Sequence, residues 1–176
     1  MKRHVITALE ELDRLEAKVV GSVETTRNEL LRLLAAPDAL ASFAKLKFTA
    51  VGRDPLDVDR PLNLIEQLNQ TFTYLASIAG ARWLISRHTD CLPLVLNLGT
   101  ASGFDIASQC GRFVAETFAA THPRSNDKLR RDAFRLQRVE AQHRFVFYLS
   151  MVGGSPFECP GVTIVRLEHP LMNALN

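Results

Sequence analysis

The stretch GFDIASQCGRFVAETFAATHPRSNDKL, residues 103–129, places two carboxylates among apolar residues. Asp105 lies between an aromatic and a branched apolar residue, and Glu116 follows inside the apolar run 113–120. Such runs predict buried strands. Burying a charge costs several kcal/mol unless a partner, a proton or a metal compensates it. We therefore treat Asp105 and Glu116 as candidates for one site.

The hydrophobic period predicts helices on both sides of a set of strands. Apolar residues at helical spacing predict one long helix or two consecutive helices over residues 5–35, a short helix up to residue 47, and a long helix over 62–86. The proline-containing segment 51–61 is predicted to be a loop. The remaining predictions are strands at 94–99, 104–108, 112–120, 144–151 and 162–167, and a helix over 126–141 that Ser125 would cap.

This order indicates an α+β protein with a mixed β-sheet core flanked by helices. The length of 176 residues fits one compact domain, with an N-terminal helical region over 1–50 and a core over 51–176. No apolar stretch is long enough to span a membrane, and the N-terminus turns acidic early, so we expect a cytoplasmic protein without a membrane partner. Three widely spaced cysteines imply neither a disulfide framework nor a zinc site.

The chemistry of the two acids favours a hard cation. If their strands are antiparallel neighbours, the carboxylates of Asp105 and Glu116 converge and repel each other unless a proton or a cation intervenes. Mg²⁺ is the cation that such oxygen ligands usually serve, and Glu66 on the long helix is a further candidate ligand. The basic helix that follows, residues 126–141, could contact phosphates, although a solvated helix face explains the same charges.

With Asp105 on the second core strand and Glu116 on the third, the order helix-strand-strand-strand-helix-strand over 62–150 resembles the restriction-endonuclease-like PD-(D/E)XK superfamily. The resemblance implies that Asp105 is the motif aspartate, Glu116 the second acid and Glu66 the acid of the first core helix. It also implies Mg²⁺-dependent cleavage of nucleic-acid phosphodiesters, with Mn²⁺ as a substitute metal. The expected partner is nucleic acid, DNA rather than RNA.

One position departs from the family pattern. The family places a lysine two residues after the second acid, where this chain has Phe118. Lys128, in the following helix, is the candidate that would replace the lysine and complete the catalytic set with Asp105 and Glu116.

Two alternatives stay open. Asp105 could cap a turn while Glu116 pairs with Arg112 or Lys128 as a structural ion pair. Alternatively, the chain is a catalytically inactive nuclease-fold protein that acts as a binding or assembly module, which the loss of the motif lysine at Phe118 favours. The N-terminal amphipathic helices would suit that role, and they predict a homodimer.

Overall fold

The computed structural model describes residues 3–99, 102–152 and 157–168. Over these residues the protein is α+β, with four helices and two sheets. The helices are α1 Leu9–Leu34, α2 Ala39–Phe48, α3 Leu64–Arg87 and α4 Lys128–Gln137. The strands are β1 Arg3–Ile6, β2 Gly52–Asp54, β3 Asp57–Leu62, β4 Leu94–Asn97, β5 Ile106–Ser108, β6 Phe113–Ala119, β7 His143–Leu149 and β8 Thr163–Arg166.

The chain forms two compact units. The first contains residues 1–12 and 76–176, and the second contains residues 13–75. The first unit therefore holds the larger sheet, α4 and the C-terminal part of α3. The predicted division into 1–50 and 51–176 follows other boundaries and remains a prediction.

The larger sheet has six strands in the order β1-β4-β5-β6-β7-β8. β1, β4, β5 and β6 pair antiparallel in turn, whereas β6, β7 and β8 run parallel. The parallel connection from β6 to β7 passes through α4, as a crossover connection requires. The predicted α+β class with a mixed sheet and helices is therefore confirmed.

Both faces of the central strand β6 are covered. α3 covers one face of the sheet here. Its Gly80 lies so close that a Cβ atom built on it would be 2.9 Å from the ring of Phe147 on the neighbouring strand β7. α4 covers the opposite face with the side chains Leu129, Asp132, Ala133 and Leu136, which are all buried. Because side chains alternate along a strand, Glu116 and Phe118 of β6 point to the α4 side, while Thr117 points to α3 and exchanges a 2.6 Å hydrogen bond with Ser77.

The second unit is organised around a buried amide. The Oε1 atom of Gln67 accepts hydrogen bonds from the Thr26 hydroxyl and the Arg53 backbone N–H, each at 2.7 Å. Its Nε2 atom donates to Ser22 Oγ at 3.2 Å. These contacts tie α1 and β2 to α3 and leave neither end of the buried amide without a partner.

Three sequence predictions about local structure are wrong. Residues 51–61 are not a loop, because β2 and β3 form an antiparallel hairpin. Pro61 is tolerated there because a two-stranded sheet consists only of edge strands. Residues 5 and 6, which the hydrophobic spacing predicts to begin a helix, belong to β1 at the edge of the larger sheet. A 3-10 turn, Ser125–Asp127, precedes α4 in place of a helix that begins at residue 126 and is capped by Ser125. Of the alternatives for the N-terminus, α1 is one continuous helix.

No helix within the described residues combines the length and apolar character needed to cross a membrane.

Candidate functional site

Glu116 is an acid in the middle of a buried strand. It lies in β6, in the first compact unit, and only 3 % of the residue is exposed. Its β7 neighbour is the buried Val146, so the strand pair offers the carboxylate no polar side chain. Burial raises the pKa of Glu116 to about 8, and the negative charge of Asp105 adds to the rise. Glu116 therefore holds a proton at neutral pH more readily than an ordinary glutamate.

Asp105 comes directly before β5, the strand that pairs with β6, and does not lie within the strand as predicted. Ile106, the first residue of β5, pairs with Ala115, so Asp105 and Glu116 are the next residues at the same end of this strand pair. One carboxylate oxygen of Asp105 accepts hydrogen bonds from the Thr117 backbone N–H at 2.7 Å and from the Thr117 hydroxyl at 3.2 Å. Burial raises the pKa of Asp105, while the bond from the Thr117 N–H and the charge of Lys128 oppose the rise. The structure therefore brings the two predicted acids together.

A guanidinium group from α4 reaches the carboxylate of Glu116. The Nη1 atom of Arg135 is 2.8 Å from Oε1 of Glu116. That oxygen is buried, and it receives no hydrogen bond of acceptable geometry from the described residues. The contact is therefore an ion pair by distance without a well-aimed N–H. Arg135 also donates from Nη2 to the carbonyl of Gly103 at 2.8 Å, so its fork connects β6 to the segment before β5.

Lys128 and Asp132 form a second ion pair beside the first. The Nζ atom of Lys128 donates to Oδ2 of Asp132 at 2.8 Å, one helical turn apart on α4. The same Nζ atom is 5.8 Å from the ring centroid of Phe118. Because the charge of Lys128 lowers the pKa values of both Asp105 and Glu116, the ammonium lies within electrostatic reach of the pair. Phe118 itself is buried in the apolar cluster under α4.

Asp132 and Arg135 were missed by the sequence reasoning. Asp132 is 8 % exposed, and its charge raises the pKa values of both predicted acids. The sequence does indicate that Asp132 is buried. It falls within the apolar stripe of α4 that Leu129, Ala133 and Leu136 form. Arg135 carries no comparable signal, because it lies on the exposed side of the same helix and reaches Glu116 from the edge.

Glu66 lies in the second compact unit, in the first turn of α3. The Asn63 side chain accepts a hydrogen bond from the Glu66 backbone N–H at 2.8 Å, and its amide donates to the Glu66 carboxylate at 3.3 Å. The exposed Glu66 thus takes part in an N-terminal helix cap. Its predicted role as a metal ligand remains a prediction.

The other predicted structural pairing of Glu116 involved Arg112. Arg112 instead pairs with Asp90, with 2.7 Å between Nη1 and Oδ2. Thus, of the two cations predicted to pair with Glu116 as a structural alternative, Lys128 lies near the site and Arg112 is paired elsewhere.

Comparisons with protein-family models, with curated proteins and with solved structures find no match to this chain. Over residues 3–99, 102–152 and 157–168, no group of three or more His, Cys, Asp or Glu residues is arranged to hold a metal ion. A site here would therefore rest on two carboxylates, with water or substrate oxygens completing the coordination of a metal.

The charges of the cluster are close to balance. Asp105, Glu116 and Asp132 contribute three negative charges when ionised, and Lys128 and Arg135 contribute two positive charges. A proton on Glu116 makes the cluster neutral, in agreement with its raised pKa. Loss of that proton leaves one net negative charge and a buried oxygen, Oε1 of Glu116, without a hydrogen bond, and this is the state in which the site would attract a cation.

Proposed function

We propose that this protein is a divalent-metal-dependent nuclease that hydrolyses phosphodiester bonds of nucleic acid at Asp105 and Glu116. The observation that carries the proposal is the proximity of these two acids: Asp105 comes directly before β5, Glu116 lies on the neighbouring antiparallel strand β6, and the charge of Asp105 raises the pKa of Glu116. A buried acid beside a partly buried one is expensive in free energy, and a structural role would be served at lower cost by apolar residues. The order α3-β4-β5-β6-α4-β7 is the one that the resemblance to the PD-(D/E)XK superfamily predicts.

The donor atoms suit Mg²⁺ or Mn²⁺. Mg²⁺ is typically held by one or two carboxylates together with waters and substrate phosphates, so a third protein ligand is not required. Oε1 of Glu116 is a buried oxygen that lacks a satisfactory hydrogen bond. A bound divalent ion would polarise the phosphodiester and lower the pKa of a water nucleophile.

The chain's own residues would divide the remaining tasks. Asp105 is oriented by its two hydrogen bonds from Thr117, and Glu116 must be ionised to contribute a ligand. Lys128 is the proposed replacement for the motif lysine, because its ammonium lies beside the ring of Phe118. It would stabilise the charge that develops on the phosphate oxygens. Arg135 would contact a non-bridging phosphate oxygen once it is released from Glu116.

A second function is favoured by three observations. Arg135 and Lys128 already supply positive charge to the acids, and Phe118 takes the place of the motif lysine within the core. Both features suit a nuclease fold that has lost hydrolysis and serves as a binding or assembly module. Large apolar side chains are also exposed on the helices of the second unit, namely Val20, Val23, Leu31, Leu34, Leu40, Phe43, Phe48, Ile65, Leu68 and Phe72. Such side chains would suit the proposed homodimer.

Thermal unfolding with and without Mn²⁺ tests the metal site. The wild-type protein should gain thermal stability with Mn²⁺, and both Asp105→Asn and Glu116→Gln should lose that gain. Glu66→Gln tests the third proposed ligand, and Glu140→Gln, which removes an exposed carboxylate after α4, is the matched control. A gain that persists in both site variants would overturn the proposal.

Cleavage is measured separately on labelled DNA and RNA, as single strands and as duplexes, with Mn²⁺ or with EDTA. Metal-dependent products that disappear in Asp105→Asn support hydrolysis. Metal binding without cleavage of any substrate favours the inactive binding module. Light scattering after size exclusion then decides whether the chain is a homodimer.

A further inference from the structure

The outer face of α4 joins an exposed aromatic ring to a stripe of arginines. Phe134 is 42 % exposed, although it is a large apolar residue on a helix that buries the smaller apolar residues Leu129, Ala133 and Leu136. Three arginines lie about one helical turn from Phe134: Arg130 is four residues before it, Arg131 is three residues before it, and Arg138 is four residues after it. At 3.6 residues per turn these four side chains occupy about 100° of the helix circumference. The stripe lies on the side opposite Leu129, Ala133 and Leu136 and adjoins the edge that carries Lys128 and Arg135.

The arginines of this stripe are only partly neutralised. Arg131 and Arg138 form no ion pair with the residues that the structure describes. Arg130 reaches Asp127 only at 3.9 Å, and its guanidinium lies 6.0 Å from the ring centroid of Phe134. Two guanidinium groups without a described counter-ion thus flank an exposed ring, which is a surface for a polyanion that also carries planar groups.

A second ring extends the surface. Phe157 meets Phe134 edge to face, with 5.7 Å between ring centroids, and the Arg130 guanidinium lies 5.6 Å from the Phe157 centroid. Phe157 also borders a cavity of about 600 Å³ whose other lining residues include Tyr148 and Arg166. The surface therefore continues from the Phe134 ring, past Phe157, into a concave space of the size that small ligands occupy.

We propose that this surface binds a single-stranded nucleic acid, with a base stacked on Phe134 and phosphates on Arg131 and Arg138. In a duplex, bases are stacked on one another and their faces are not available to a protein ring. An exposed aromatic side chain between cations is the combination that single-strand binding proteins use. The inference rests on the proposed function, because it assigns a substrate class to the site at the edge of the same helix.

Fluorescence anisotropy in EDTA tests the inference without cleavage. The probes are a labelled DNA strand, the matching RNA strand, and duplexes of the same sequences. The wild type should bind the single strands more tightly than the duplexes. Phe134→Ala should weaken single-strand binding about tenfold and change duplex binding less than twofold, whereas Phe134→Trp should retain single-strand affinity.

Two controls separate stacking from charge. Phe43→Ala removes an exposed ring from α2 and should leave affinity unchanged. Replacing both Arg131 and Arg138 with alanine should weaken binding to single strands and duplexes, and should reduce the salt dependence of single-strand binding by a slope of about 1.4 for two phosphates. Each variant is first checked for the wild-type oligomeric state and thermal stability.

The outcomes distinguish this inference from the proposed hydrolysis. Tighter duplex binding, or equal effects of Phe134→Ala and Phe43→Ala, overturns the single-strand inference and leaves metal-dependent hydrolysis to its own test. Single-strand binding that depends on Phe134 supports the inference, and it does so even if no substrate is cleaved with Mn²⁺.

Discussion

Replacing Glu116 with glutamine should stabilise the protein more as the pH rises. The substitution keeps the shape of the side chain and removes its ability to ionise. Glu116 is 3 % exposed and has a pKa of about 8, against an ordinary value of 4.5. Between these two values the folded chain keeps a proton that the unfolded chain has lost. The folded state is therefore destabilised as pH rises, and the destabilisation is complete above pH 8.

The magnitude follows from the shift. Each pKa unit corresponds to about 1.4 kcal/mol, so the rise from 4.5 to about 8 corresponds to about 5 kcal/mol at high pH. The range from pH 5 to pH 8 covers three units and should account for about 4 kcal/mol of it. Nothing is subtracted for the ion pair to Arg135, because its charge already lowers the pKa of Glu116 within this shift.

Urea unfolding at half-unit steps from pH 5 to pH 9 measures the effect. The difference in free energy of unfolding, Glu116→Gln minus wild type, should increase with pH and level off above pH 8. Glu140→Gln is measured in parallel, so that general consequences of removing one negative charge can be subtracted. A difference that is constant with pH, or that decreases as pH rises, would refute the argument that burial keeps Glu116 protonated.

Three further predictions concern the same unit. The dissociation constant for Mn²⁺, measured by calorimetry, should fall up to about tenfold per pH unit from pH 6 to pH 8, because Glu116 must lose its proton to bind metal. A dissociation constant that does not change with pH would exclude Glu116 as a ligand. Lys128→Met should reduce metal-dependent cleavage about 100-fold and Lys128→Arg should reduce it less, whereas equal rates for Lys128→Met and wild type would remove Lys128 from the catalytic set. Gly80→Ala should destabilise the fold by about 1–3 kcal/mol in urea unfolding, because the new Cβ atom would lie 2.9 Å from the buried Phe147 ring. An unchanged urea midpoint would show that the ring can move.

Much of the larger sheet could be predicted because its strands have strong local signals. β6 and β7 are runs of apolar, aromatic and branched residues, and tight turns delimit β5. β1 could not be found in this way, because its four residues form an edge strand whose pairing partner, β4, lies about ninety residues later. The hairpin of β2 and β3 was hidden by Pro61 and by the charges of its exposed residues, which indicate a loop when read locally.

The site was only half predictable from the chain. An acid within an apolar run is visible in sequence, so Asp105 and Glu116 could be found, and the antiparallel register brings them together. Asp132 follows the same logic on a helix, because it interrupts an apolar stripe at positions three and four apart. Arg135 depends on tertiary geometry alone. Its exposed position on α4 indicates a solvated residue, and only the packing of α4 over β6 brings its guanidinium to Glu116.

The proton and the arginine decide between the two proposed functions. Arg135 is 51 % exposed on its side chain, so it can leave Glu116 for solvent or phosphate at little cost, whereas Glu116 cannot leave the sheet. A divalent ion that replaced both the proton and the guanidinium would keep the net charge of the cluster unchanged, but it would leave Arg135 without its carboxylate partner. A phosphate that arrived with the ion would supply further oxygen ligands and give Arg135 a new partner. Metal binding should therefore be stronger in the presence of a nucleic acid than for the protein alone, whereas a purely structural ion-pair cluster would show no such coupling.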